Sequence, residues 1–236
     1  MSRRDYNQFC GLASALDAVG ERWTLLIVRD LMGGPKRYSD LASSLHGIGT
    51  SLLAVRIKQL EADGVVVRRV LPPPAASTVY ELTSVGWELA DALVPLAVWG
   101  ARHQLDPQRQ DGQGFTPEWS LAVLARLLNA GSTVDVDAIY EFHIDGDIAH
   151  VTVADKATSV TTGPALGRAD AVITTDSGTL ASLVAGRISV VDAVGSARLA
   201  LAGDETALQV LAAAIPPPQA APGTKLNRLR SSPISE

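Results

Sequence analysis

The chain has 236 residues, one cysteine, 47% apolar residues and a formal net charge of −5. This length fits one large domain or two modest ones, and the apolar content together with 19% charged residues excludes a chain that is disordered throughout. A single cysteine excludes an internal disulfide and favours a reducing compartment. Residues 1–8 do not resemble a signal peptide, and prolines interrupt the longest uncharged run at 206–224, so we expect a cytoplasmic protein without membrane contact.

Charge is distributed unevenly along the chain. Residues 1–105 contain 11 Lys and Arg against 10 Asp and Glu, whereas residues 106–236 contain 9 against 15. Gln and Gly replace apolar residues between the two parts, which is typical of a linker. We therefore predict a first domain at 1–103, a linker at 104–117, a second domain at 118–215 and a disordered, proline-rich tail at 216–236.

The first part has the pattern of a winged helix-turn-helix. Apolar periodicity predicts three successive helices, β-branched residues then predict a hairpin, and Thr83 is placed to cap a long helix that contains Pro95. The predicted helices are 23–32, 39–45 and 51–63, and the predicted strands are 65–70 and 79–82.

The third helix is the predicted DNA-reading element. Leu53, Ile57 and Leu60 repeat at helical spacing and are expected to be buried, which leaves the opposite face for a DNA groove. Small and hydroxyl side chains can approach base edges, and basic side chains around them can contact phosphates. The predicted contacts to double-stranded DNA are Lys36, Arg37, Thr50, Ser51, Ala54, Val55, Arg56, Lys58, Arg68 and Arg69.

These residues carry a family resemblance. The segments CGLASAL at 10–16, VGERWTLLI at 19–27, GPKRYSDL at 34–41 and LAVRIKQLE at 53–61, followed by YELTSVG at 80–86, resemble HxlR-type regulators, a MarR-like branch of winged-helix proteins. The resemblance implies a homodimeric repressor that binds a palindromic operator through a dimer interface of terminal helices. From the residues alone, the apolar stripe from Val85 to Trp99 fits a partner subunit or its own domain equally well.

The second part has mixed periodicity and predicts an α+β domain. Helices are expected at 119–129, 179–185, 190–194 and 205–215, and strands at 140–144, 148–153, 157–162, 171–175 and 197–201. The segments ADAVITTD at 169–176, LVAG at 183–186, VDAVG at 191–195 and LALAGD at 199–204 resemble a sterol carrier protein-like domain. That resemblance implies a curved sheet with helices on one side and an apolar tunnel. The fold class predicted for the whole chain is α+β.

Two functions remain open for the second part. Trp119, Tyr140 and Phe142 are candidate walls of a pocket for a small apolar effector, although the same residues fit an ordinary packed core. The effector hypothesis makes this domain a sensor for the DNA-binding part. The alternative is a carrier of lipids or other apolar ligands, in which the N-terminal domain serves only to form the dimer.

Catalytic patterns are missing from the sequence. Neither a phosphate-binding glycine loop nor a nucleophile elbow nor an HExxH pattern occurs, and the four histidines lack cysteine companions, so we expect no enzyme, no cofactor and no metal site. Cys10 precedes a predicted helix, where the helix dipole activates a thiol. Its alternative roles are a redox sensor, which some HxlR-type proteins have at this place, and a small packing residue.

Overall fold

The computed structural model describes residues 5–74, 76–108, 110, 112–130, 137–155 and 157–218. Its first half consists of four short helices, a two-stranded antiparallel hairpin and one long helix. The bounds are α1 Gly11–Val19, α2 Thr24–Met32, α3 Tyr38–Ser44, α4 Thr50–Ala62, β1 Val66–Val70, β2 Thr78–Leu82 and α5 Ser84–His103. This order is that of a winged helix-turn-helix, as the sequence predicted.

Local sequence signals explain how α5 begins. The Thr83 hydroxyl accepts a hydrogen bond from the backbone N–H of Gly86, which caps the helix as predicted. Gly86 is buried, and a Cβ at this position would lie 2.2 Å from the Val65 carbonyl oxygen. Only glycine therefore lets α5 pack closely against the base of the hairpin, so the long helix and the wing form one rigid unit.

The second half contains a five-stranded sheet and four helices. The bounds are α6 Pro117–Ala130, β3 Ala138–Ile144, β4 Asp147–Ala154, β5 Ala157–Thr162, β6 Ala171–Thr175, α7 Ser177–Val184, α8 Val190–Gly195, β7 Leu199–Gly203 and α9 Glu205–Ala214. The strand order is β5-β4-β3-β6-β7, with β3 and β6 parallel and the other neighbours antiparallel. Asp145 and Gly146, which form the tight turn between β3 and β4, both have positive φ.

One face of this sheet forms the core of the second half. Along β3, Ala138, Tyr140, Phe142 and Ile144 are buried, whereas the residues between them are half-buried. This period of two places all four side chains on one face. The last strand begins two residues later than predicted, because Ala197 has a φ of 55° in the turn that follows α8.

The two halves pack against each other through helices. In the first half, α2 and α5 contact α6, and α5 also contacts α7. The Arg102 Nε donates to the Ala185 carbonyl at 2.8 Å, and Arg187 donates to the carbonyls of Arg102 and Leu105 at 2.8 Å each. Two arginines therefore join the end of α5 to the segment after α7.

Two findings bear on the remaining expectations about organisation. No helix within the described ranges is long and apolar enough to cross a membrane. The predicted tail lies outside the described residues, apart from 216–218.

Candidate nucleic-acid interface

Helix α4 has the two faces that the sequence predicted. Leu53, Ile57 and Leu60 are at most 3% exposed and belong to the core, where α4 packs against α2 and β1. Thr50, Ser51, Val55 and Lys58 are exposed, and Ala54 is half-buried beside them. The Tyr38 hydroxyl donates to the Thr50 carbonyl at 2.6 Å, so α3 fixes the start of α4.

Ion pairs separate the predicted basic contacts into two groups. The Arg56 side chain is 17% exposed and pairs with Glu21 at 2.8 Å, and Arg69 pairs with Glu81 at 2.8 Å. Lys58 and Arg68 are exposed and have no ion pair within the described part of the chain. Because a carboxylate partner offsets the positive charge of a guanidinium, Lys58 and Arg68 are the stronger candidates for phosphate contacts.

The hairpin places Arg68 and Arg69 on opposite faces of the wing. Arg68 lies opposite Tyr80 in the antiparallel register, and Arg69 lies opposite Val79, which is buried. Both arginine side chains extend from a strand whose other residues are valines, of which Val67 and Val70 are exposed and Val66 is buried. A DNA backbone that passes along one face of the wing therefore meets Arg68 or Arg69, but not both.

Lys36 and Arg37 lie where α3 approaches the wing. The Lys36 N–H donates to the Tyr80 carbonyl at 3.0 Å, and its carbonyl accepts from the Tyr80 N–H at 2.8 Å. Lys36 is half-buried, whereas Arg37 is exposed and its backbone N–H donates to the Asp40 carboxylate. This bridge orders the turn before α3 and leaves Arg37 at the surface.

A buried acid links the helix-turn-helix to the second half. Asp30 is 6% exposed and accepts hydrogen bonds from Arg29 on its own helix and from Ser44 at the end of α3. The Arg29 guanidinium carbon also lies 3.9 Å from the centre of the Trp119 ring on α6, a cation–π contact. Neither Asp30 nor Arg29 stands out in the sequence, because the contacts with Ser44 and Trp119 join residues far apart in the chain.

Cys10 lies exposed at the N-terminal end of α1. Backbone N–H groups of Ala13 and Leu12 lower the pKa of its thiol, because they stabilise the thiolate. This exposure does not fit the packing alternative. The neighbouring arginines at 3 and 4 lie outside the described residues.

The three candidate wall residues do not share a cavity, which corrects their predicted grouping. Tyr140 and Phe142 are at most 1% exposed in the packed core, and the cavity beside Phe142 has a volume of about 20 Å³. This volume accommodates about one water molecule. Burial, with Asp170 and Asp204 nearby, raises the pKa of the Tyr140 hydroxyl. An interior packed in this way does not favour the carrier alternative.

Trp119 lines a different space, between the two halves. A cavity of about 290 Å³, open to solvent, is enclosed by α2, α5, α6 and α7. Its walls are almost entirely apolar and include Leu25, Leu93, Ala97, Val123 and Val184 around Trp119. The space approaches the size of small-molecule sites in proteins.

The histidines of the second half form hydrogen bonds within the sheet. His143 bonds to the Glu141 carboxylate at 2.7 Å, and the other Glu141 oxygen accepts from the Ala165 N–H. The bond to His143, aided by that N–H, lowers the pKa of Glu141. Within the described ranges, no group of three His, Cys, Asp or Glu side chains is placed to hold a metal ion.

A helix-turn-helix with unpaired cations on its third helix and on an adjacent wing defines the class of winged-helix DNA-binding proteins. The family model described as HxlR-like helix-turn-helix matches residues 18–108. The transcriptional regulator YodB of Bacillus subtilis is 35% identical over 88 residues, which are 37% of this chain and 79% of YodB. The uncharacterised regulator YvaP of the same organism is 36% identical over 97 residues, which are 41% of this chain and 89% of YvaP.

The chain therefore belongs to the HxlR-like helix-turn-helix family of transcriptional regulators through its N-terminal part. The solved reduced form of YodB is 32% identical and covers 43% of this chain and 100% of that chain, with a TM-score of 0.37. The match to the family model and the identity to YodB and YvaP confirm the family resemblance found in the sequence of the N-terminal part. The resemblance of the second half to sterol carrier proteins stays a prediction.

Proposed function

We propose that this chain is a homodimeric repressor that binds a palindromic operator, with α4 in the major groove and β1 beside the DNA backbone. The observation that carries the proposal is the pair of exposed cations, Lys58 on α4 and Arg68 on the wing. They extend from the two elements with which winged-helix proteins contact DNA. Binding to duplex DNA from upstream of the chain's own gene, measured over a range of salt concentrations, tests this proposal.

Exposed apolar side chains at the start of α1 and along α5 support the dimer. Phe9 and Leu12 are 113% and 69% exposed, and Val85, Leu96 and Trp99 are each more than half exposed. Solvated apolar surface of this kind, on the first helix and on the long helix α5, is typical of a protein interface. A two-fold axis at α1 and α5 presents two copies of α4 to two half-sites.

A small apolar effector at the junction of the two halves is the proposed signal. The 290 Å³ cavity touches α2 of the helix-turn-helix and α5 of the proposed dimer interface as well as α6 and α7. A molecule bound there shifts the spacing of the two α4 helices only if it binds the DNA-competent and incompetent dimers with different affinities. The proposal places no catalytic step in either half.

Filling this cavity is expected to abolish binding of an apolar probe. Ala97→Trp projects an indole into the space between α2 and α5, and the fluorescence enhancement of anilinonaphthalene sulfonate is expected to fall about tenfold or more. Ala213→Trp, on the exposed side of α9, is the matched control and is expected to leave the enhancement unchanged. Equal enhancement in both variants contradicts a site at the junction.

A thiol switch at Cys10 is the second candidate function. The exposed thiol with its lowered pKa favours it, because the thiolate is the reacting form of cysteine. Cys10 lies at the start of α1, beside the exposed Phe9 and Leu12, so an adduct there alters the proposed dimer interface.

Alkylation of Cys10 by iodoacetamide is expected to reach half its maximal rate at a lower pH than alkylation of a free thiol. The sign follows from the lowered pKa, which keeps the thiol deprotonated at pH values where a free cysteine is protonated. The rate is measured by mass spectrometry across a pH series, with glutathione as the reference. Operator release by benzoquinone in the chain, but not in Cys10→Ser, is expected in parallel, and equal release in both contradicts the switch.

A further inference from the structure

Strand β7 is an apolar and unprotected edge of the five-stranded sheet. It is the last strand in the order β5-β4-β3-β6-β7, and Ala200, Leu201, Ala202 and Gly203 are all exposed. Natural edge strands usually carry a charge, a proline or a bulge that prevents pairing with another chain. Leu199–Gly203 contains only leucine, alanine and glycine, so nothing in the strand itself opposes such pairing.

The register of β7 shows which of its backbone groups point away from the sheet. The Asp204 N–H donates to the Asp170 carbonyl at 2.7 Å, and Leu201 lies opposite Ile173. Hydrogen-bonded and non-hydrogen-bonded pairs alternate in an antiparallel ladder, so Ala200 and Ala202 bond to β6 while the N–H and C=O of Leu199 and Leu201 point outward. Within the described ranges, no backbone group bonds to these outward groups.

The opposite edge of the sheet, strand β5, is polar and contacts a helix of the same chain. Strand β5 is rich in threonine and serine, and Thr158 and Thr162 form side-chain hydrogen bonds with Asn129 and Glu118 of α6. These polar side chains hold the β5 edge against a helix of the same chain. The open apolar edge is therefore a feature of β7 in particular.

We propose that β7 pairs in antiparallel fashion with β7 of a second copy of this chain, about a two-fold axis at Leu201. The outward N–H and C=O of Leu201 then exchange hydrogen bonds with those of Leu201 in the second copy. Leu199 lies opposite Gly203 of that copy. The pairing joins two five-stranded sheets into one continuous sheet and covers the exposed leucine on each side.

Charge complementarity selects this partner and this direction. Arg198 and Asp204 flank the strand, so the antiparallel pairing sets Arg198 of each copy opposite Asp204 of the other. Arg198 uses its Nε for Ser196, and one Asp204 oxygen caps α9 at the Ala207 N–H, which leaves a terminal guanidinium nitrogen and the second carboxylate oxygen for the new pair. A parallel pairing instead places like charges opposite each other.

This interface is separate from the proposed one at α1 and α5. Two different two-fold interfaces on one chain build a closed tetramer of two DNA-binding dimers where the two axes meet at right angles, and an open chain of such dimers otherwise. If the α1 and α5 interface does not form, β7 pairing alone still gives a dimer. Because loss of either interface leaves a dimer of the same mass, the remaining interface is identified by the variant that dissociates it, Leu201→Pro for β7 or Leu12→Asp with Trp99→Asp for α1 and α5.

The first test changes a single outward N–H. Leu201→Pro removes that donor and leaves the ladder to β6 intact, whereas the control Leu201→Ala keeps the donor and shortens only the side chain. Sedimentation of the full chain is expected to show that the proline variant associates through this interface about tenfold more weakly or worse, equivalent to about 1.4 kcal/mol, with the alanine variant affected less. Circular dichroism verifies that both variants are folded, and equal association of both contradicts the proposal.

The second test measures proximity without disturbing the ladder. In a Cys10→Ser background, Leu201→Cys is expected to crosslink two copies rapidly with a short bis-maleimide, because directly opposed residues lie about 5.5 Å apart at Cα. Ser159→Cys on the exposed β5 edge is the control and is expected to crosslink slowly. Equal crosslinking rates at the two positions overturn the proposal. It is also overturned if Leu201→Pro weakens association but Leu201→Cys does not crosslink, because the edge then binds another partner.

Discussion

Replacing Lys58 and Arg68 together with alanine is expected to lower the affinity for operator DNA about 100-fold. Each exposed cation supplies one charge-assisted phosphate contact worth about 1.5 kcal/mol, and neither has an ion pair to lose within the described residues. The slope of log affinity against log salt concentration should also become shallower by about two, one for each released counterion. Fluorescence anisotropy at several salt concentrations measures both quantities.

Two control variants make this prediction specific. Arg168→Ala removes an exposed arginine from the second half and is expected to leave both affinity and slope unchanged. Arg69→Ala is expected to have a smaller effect than Arg68→Ala, because its guanidinium is already paired with Glu81. An unchanged salt slope in the double variant would place the DNA on a different surface.

Replacing Leu12 and Trp99 together with aspartate is expected to separate the two subunits that α1 and α5 join. The affinity for operator DNA is expected to fall about 1,000-fold. Each carboxylate would be buried without a partner in the interface, at a cost of several kcal/mol. A single subunit then binds one half-site and loses the high effective concentration that links the two α4 helices. Light scattering gives the mass, and the same anisotropy assay gives the affinity.

Because both replaced side chains are more than half exposed in the isolated chain, its stability should change little. Leu166→Asp, at a position that is fully exposed but far from α1 and α5 in sequence, is the matched control and should keep both the mass and the affinity. An unchanged mass for the double variant would reject the interface at α1 and α5. Reduced affinity with unchanged mass would show that these helices contact DNA rather than each other.

Local signals in the sequence predicted the elements of the DNA-binding part well. The spacing of Leu53, Ile57 and Leu60 predicted the buried face of α4, and Thr83 predicted the start of α5. Both signals act within one or two helical turns, so they do not depend on the rest of the fold. The turn at Asp145 and Gly146 was predictable for the same reason, since a tight turn with positive φ favours these residue types.

Local sequence signals did not predict which charged side chains form ion pairs. Arg56 and Lys58 lie on the same helix, but within the described part of the chain only Arg56 meets a carboxylate, that of Glu21, which is 35 residues away in sequence. The pairing of Arg69 with Glu81 depends on the hairpin register. Within the described residues, these contacts separate the ion-paired Arg56 and Arg69 from Lys58 and Arg68, which have no ion pair.

The sequence by itself determined the helix-turn-helix, its wing and the family to which they belong, because periodicity, caps and turns are encoded by residues close together in the chain. Only the tertiary structure decided that Tyr140 and Phe142 fill a packed core while Trp119 contacts Arg29 at the junction of the two halves. All three are large aromatic residues that bury apolar ring surface. Where each one is buried depends on which distant elements meet there, and no local pattern carries that information.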